Sequence, residues 1–136
     1  MSHVRRRVLC AEPHADTCSF ITLLLERQGH EVVSAKTVRE CLELAHDSRF
    51  DLYMLDDDYI DGTSLDLCKR LREATPETPI LFFSSRAFKG DRERAFEAGA
   101  QAYLTKPSDL LEIVQTVNAV LSGKARRGLS READKP

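Results

Sequence analysis

The chain alternates short apolar runs with longer segments whose apolar residues recur at helical spacing. Val8-Leu9-Cys10-Ala11, Leu52-Tyr53-Met54-Leu55 and Ile80-Leu81-Phe82-Phe83 each stop abruptly at polar residues. That is the pattern of strands buried on both faces. Glu31-Val32-Val33-Ser34-Ala35 and Gln101-Ala102-Tyr103-Leu104-Thr105 read as two further strands, the first less apolar and so nearer a sheet edge. Between the strands, stripes such as Phe20/Leu23/Leu24, Cys41/Leu44/Ala45, Leu65/Cys68/Leu71 and Ile113/Val117/Leu121 predict amphipathic helices, and Gly90 to Gly99 encloses a shorter one. Helix starts are expected at Asp16, at Thr37 with Glu40 as a capping box, at Ser64 and at Ser108, and Gly29 is placed to close the first helix. Five strands alternating with five helices give one α/β domain with a parallel sheet between helical layers. In such sheets, ligands bind outside the carboxyl ends of the strands.

Length and composition narrow the picture. A chain of 136 residues suits one domain with a real core, and 42% hydrophobic with 31% charged residues is ordinary globular composition. The net charge of −2 argues against a nucleic-acid binder, so Arg5-Arg6-Arg7 and Arg126-Arg127 read as solvated flanks. No apolar run approaches the ~20 residues of a membrane span, and MSHVRRRVLCAEP lacks a signal-peptide core, so a cytoplasmic location is expected. Cys10, Cys18, Cys41 and Cys68 form no CxxC pair and read as reduced core residues.

The candidate chemistry lies where the strands end. Phe50–Asp56 stops at three adjacent carboxylates, Asp56, Asp57 and Asp58, whose mutual repulsion calls for a cation opposite them. The first strand leaves Glu12, the fourth Ser84 and the fifth Lys106. Two carboxylates, a hydroxyl and a lysine at one sheet lip suit a carboxylate nucleophile facing a phosphoryl group and a hard cation.

These residues, in this order, resemble the receiver domain of two-component response regulators, over about Val4 to Leu121. FDLYMLD matches the strand of the phospho-acceptor, YIDGTSLDL the loop and helix after it, TPILFFSS the hydroxyl-bearing strand and EAGAQAYLTKP the Lys-Pro strand. The resemblance implies a flavodoxin-like, five-stranded sheet in the order 2-1-3-4-5, spanning residues 4–122, with 123–136 a polar tail. It implies phosphorylation of Asp56 by a histidine kinase or phosphotransfer protein, with Ser84 and Lys106 sensing the phosphoryl group. It also implies Tyr103 as the switch aromatic working with Ser84, a cis Lys106-Pro107 bond, and Mg2+ held by Glu12, Asp56 and the Asp58 backbone carbonyl. The partner face would be the fourth helix, fifth strand and fifth helix, which also serves homodimers in the family. No membrane or direct nucleic-acid contact is expected, and the domain would be a switch rather than an enzyme, at most assisting its own phosphorylation and hydrolysis.

Several positions depart from the family pattern. Pro13 stands where a second acidic residue usually binds the metal, and proline offers neither a side-chain ligand nor an amide donor. Mg2+ binding is therefore expected to be weakened or lost. Ile60 and Ser64 replace a usual proline and glycine. Asp57 replaces a usually apolar residue. It either restores local negative charge or is simply solvated, since successive strand residues face opposite ways. His14 reads as a surface histidine, because a hard cation prefers oxygen. The 15 residues after Leu121 are too few for an output domain, so output through protein contacts is expected unless the chain belongs to something longer. Two readings stand: a phospho-accepting switch, and a degenerate receiver acting as a phosphorylation-independent interaction module. A flavin carrier on the same fold lacks a phosphate cradle after the first strand.

Overall fold

The structure, a computed structural model, describes residues 5–123; Val4 and the tail from residue 124 onward lie outside them. Five strands, β1 (Arg7–Ala11), β2 (Glu31–Ala35), β3 (Leu52–Leu55), β6 (Ile80–Ser84) and β7 (Ala102–Thr105), form one parallel sheet in the order β2-β1-β3-β6-β7. This is the 2-1-3-4-5 arrangement of a flavodoxin-like fold. A two-stranded hairpin, β4 (Asp58–Tyr59) with β5 (Gly62–Thr63), is added just beyond β3. The less apolar β2 lies at an edge, as its composition implies.

Alternation along the strands divides the core between the two faces of the sheet. Leu9, Ala11, Tyr53, Leu55, Ile80 and Phe82 pack with residues of α2 (Val38–Asp47), α3 (Ser64–Ala74) and α4 (Lys89–Ala98). Val8, Cys10, Leu52, Met54, Leu81 and Phe83 pack with α1 (Ala15–Arg27) and α5 (Leu110–Leu121). Every residue of β3 and β6 is buried, which explains their unbroken apolar runs. All four cysteines are free and buried.

Three helix starts differ from the sequence expectation by one or two residues. His14 precedes α1, with Asp16 in its first turn; Thr63 rather than Ser64 caps α3; Asp109 rather than Ser108 caps α5. The neighbouring oxygen wins in the last two cases because its backbone is extended and its side chain reaches the amide three residues on. Ser108 instead donates to the Thr105 carbonyl. At α2 the expected cap holds: Thr37 accepts from the Glu40 amide. Gly29 follows α1 at φ 88°, a conformation open to glycine without strain.

Candidate phosphoryl and metal site

Strand register brings the site together. Ala11 pairs with Leu55, Leu55 with Phe82, and Ser84 with Thr105, so the carboxyl ends of four strands lie along one edge. Glu12, Asp56 and Lys106 each stand one residue past the end of their strand, and Ser84 closes its own. Glu12, Asp56 and Ser84 are buried at 3%, 2% and 2% exposure.

Lys106 joins the first two. Its Nζ donates to Asp56 Oδ1 at 2.5 Å and to Glu12 Oε1 at 3.2 Å. Burial opposes the ammonium charge, but the hydrogen bond to Asp56 and the Asp56 and Glu12 charges outweigh it and hold the lysine above its ordinary pKa. Burial, reinforced by the Asp56 charge, holds the Glu12 carboxyl above the usual carboxylate range. The Lys106–Pro107 peptide bond is cis.

Tyr59, not singled out from sequence, ties the strand ends together. Its buried hydroxyl donates to the Ala11 carbonyl at 2.7 Å and accepts from the Asp56 amide at 2.9 Å. A tyrosine inside an acidic loop is the available sequence signal, since a buried phenol seeks a polar partner.

The three carboxylates diverge. Asp56 turns to Lys106, whereas Asp57 turns to the β6 end and accepts from the Ser84 hydroxyl and from both the amide and hydroxyl of Ser85. Asp57 is therefore neither simply solvated nor a member of the Glu12–Asp56 pair. Burial pushes its carboxyl upward, but the hydrogen bonds from Ser84 and Ser85 outweigh that and hold it below the ordinary aspartate value. Asp58 forms an ion pair with Arg86, and the Arg86 amide donates to the Ser84 hydroxyl at 3.0 Å. The Arg86 carbonyl accepts from the Tyr103 hydroxyl at 2.7 Å. Tyr103 is buried and stacks on Phe82, with ring centroids 5.7 Å apart. A continuous chain of bonds thus runs from Asp57 through Ser84 and Arg86 to Tyr103.

Matching the chain against known proteins identifies the fold's lineage. Residues 8–118 match the family model described as response regulator receiver domain. The chain belongs to the response regulator receiver family. It is 36% identical over 124 residues to a probable transcriptional regulatory protein of Picosynechococcus, covering 86% of this chain and 49% of that one. Against the regulator CpxR of Escherichia coli it is 32% identical over 115 residues, covering 85% of this chain and 49% of the relative. The chain thus spans about half the length of these curated relatives. Among solved structures, the non-phosphorylated HemR receiver domain of Leptospira biflexa superposes with a TM-score of 0.81 at 31% identity, covering 86% of this chain and 94% of that one. A LuxR-family response regulator of Aurantimonas gives 0.84 at 27%, covering 90% and 89%.

The family implies a divalent cation, Mg2+, at this edge. The two buried carboxylates fit such an ion. Among the described residues, the third side chain near enough to share it is His14: one donor atom each of Glu12, His14 and Asp56 lie within 4.8 Å of one another. Pro13 contributes none. The donor set accordingly fits a divalent cation, but its nitrogen is not the ligand Mg2+ prefers. No helix among the described residues is long and apolar enough to cross a membrane.

Proposed function

We propose that this receiver domain is a phospho-accepting switch of a two-component or phosphorelay system, with Asp56 as the acceptor. The observation that carries the reading is the buried Asp56 carboxylate held by Lys106 at the sheet edge, beside Glu12 and one strand from Ser84. An Asp56 oxygen attacks the phosphorus of a phosphohistidine on a histidine kinase or phosphotransfer protein. As the O–P bond forms and the P–N bond breaks, an acyl phosphate results and the imidazole leaves. Lys106 stays paired with the reacting carboxylate and compensates the arriving negative charge. A divalent cation, bound by Glu12, Asp56 and the Asp58 backbone carbonyl, would neutralise phosphoryl oxygens.

Ser84 then exchanges Asp57 for the phosphoryl group, and Tyr103, linked to Ser84 through Arg86, passes the change to the α4–β7–α5 face. Exposed Phe88, Leu110 and Leu111 give that face apolar contact area for a downstream protein or a second copy of the domain. The domain is not a metabolic enzyme; it assists its own phosphorylation and hydrolysis.

The test is Mg2+-dependent incubation with acetyl phosphate, followed by intact mass, with Asp56→Asn as control. One phosphoryl adduct is expected in the wild type and none in the variant.

A second reading, a phosphorylation-independent interaction module, is favoured by one specific observation. Asp57 already presents an anion to the Ser84 hydroxyl, and Tyr103 is buried at the far end of the same chain of hydrogen bonds. Absence of an adduct in both the wild type and Pro13→Asp would select this reading.

A further inference from the structure

The two carboxylates at the sheet edge divide their oxygens between two partners. Lys106 takes Glu12 Oε1 and Asp56 Oδ1. The remaining pair, Glu12 Oε2 and Asp56 Oδ2, faces His14 Nδ1 at 3.0 Å and 3.6 Å. Ligands about 2.1 Å from a common ion lie roughly 3.0–3.4 Å apart in octahedral or tetrahedral arrangement. His14 Nδ1 stands at ligand spacing from Glu12 Oε2 and slightly beyond it from Asp56 Oδ2, and one donor atom of each residue lies within 4.8 Å of the others. A small inward shift gathers the three round one ion, on the side of the carboxylates that the lysine leaves open.

The local chain explains why the imidazole is there. His14 precedes α1, yet its side chain makes no capping hydrogen bond. Its amide donates to Glu12 Oε2 at 3.1 Å across Pro13, closing a turn that aims the ring back over the same oxygen. With 74% of its side chain exposed, His14 is reachable from solvent, while Glu12 and Asp56 form the buried floor.

We propose that His14 is a metal ligand of this domain and that, with Glu12 and Asp56, it makes a two-carboxylate, one-imidazole site that favours first-row transition dications, Mn2+ among them, over Mg2+. Oxygen-only sets suit Mg2+ and Mn2+ alike, whereas an imidazole nitrogen favours transition ions; Mn2+, the most weakly bound of the first-row series, is the probe in which that one nitrogen shows against Mg2+. The residue lost at Pro13 is thereby replaced by the next one along, with a change of donor atom from oxygen to nitrogen. The ion displaces the His14–Glu12 hydrogen bond and leaves the Lys106 contacts in place. This inference rests on the reading of Glu12 and Asp56 as the cation-holding pair, but it needs no phosphorylation.

The experiment is titration of the full chain with Mn2+ alone and Mg2+ alone, by calorimetry and by electron paramagnetic resonance, for the wild type, His14→Ala and Asp56→Asn. The wild type is expected to bind one Mn2+ with nitrogen hyperfine modulation in its pulsed spectrum. In His14→Ala the modulation disappears, and the Mn2+-to-Mg2+ affinity ratio falls by at least about tenfold. Circular dichroism checks that this exposed substitution leaves the fold intact. An unchanged ratio, or modulation that persists in His14→Ala, overturns the proposal. So does Mn2+ binding that survives Asp56→Asn at full affinity. Because no phosphodonor is present, these outcomes stand apart from the acetyl phosphate result, which can fail while metal binding succeeds.

Discussion

Asp57 is the residue whose chemistry depends most on its surroundings. As one of three adjacent aspartates it offers no clue to its partner, yet its carboxylate collects the Ser84 hydroxyl and both donors of Ser85. On the proposed reading, a phosphoryl group on Asp56 would compete with it for Ser84. Replacing it removes both the competitor and a nearby like charge. Asp57→Ala is expected to raise the steady-state fraction of phosphorylated Asp56 in acetyl phosphate about five- to tenfold, the equivalent of one hydrogen bond of ~1 kcal/mol. Intact mass against donor concentration reads this directly; an equal or smaller fraction would mean that Ser84 is not limiting. The same contrast separates legible from illegible residues. Glu12, Asp56, Ser84 and Lys106 could be chosen because each follows an apolar run. His14, Arg86 and Tyr59 could not, because the first two reach the site from loops and the third from the short β4–β5 hairpin, and the sequence specifies the path of none of them.

At the scale of elements, the ends of helices carry much of the local specification. Thr37 caps α2 from within its own segment and was readable from the Thr37–Glu40 spacing. A second cap on the same helix comes from far away: the Asp61 carboxylate, in the β4–β5 turn, accepts from the amides of Val38 and Arg39 at 2.8 Å and 3.0 Å. Those hydrogen bonds hold the Asp61 carboxyl below its ordinary pKa, with the Arg39 amide contributing most. A carboxyl depressed in the folded state stabilises that state above its unfolded pKa, and the contribution is lost as pH falls through the folded value. Asp61→Ala should therefore lower Tm at neutral pH. The gap from wild type should narrow as pH drops below the ordinary aspartate value of about 3.9. Thermal melts from neutral to acid pH test this, and a gap constant across the range would refute it. Arg72 is a similar long-range device: its guanidinium donates to the carbonyls of Pro76, Thr78 and Gly99 and to Gln101, binding together the loops that lead into β6 and β7. A basic residue in the last turn of α3 is readable as favourable to the helix dipole; the carbonyls it serves are not.

At the scale of the molecule, the sheet makes the two helical layers interdependent, since each strand contributes side chains to both. Leu52, fully buried beneath the α1–α5 layer, tests this. Leu52→Ala is expected to cost about 2–5 kcal/mol in urea unfolding. It should shift the loss of far-ultraviolet circular dichroism and of hydrogen-exchange protection in α2 and α3 together, although those helices lie on the other face. Separate transitions would show that the layers unfold independently. The alternation of strands and helices, the buried character of β3 and β6, and the identity of the carboxylates, hydroxyl and lysine at the strand ends are all legible in the linear chain. Those follow from local periodicity and from where apolar runs stop, and neither depends on distant contacts. How the three aspartates part company, that Tyr59 bridges β1 and β3, that Asp61 caps a helix across the fold, and that His14 folds back over Glu12 emerge only in three dimensions. Each of these depends on the direction of a side chain beyond a strand end or in the hairpin that follows β3, and that direction is fixed by partners 2 to 50 residues away in sequence.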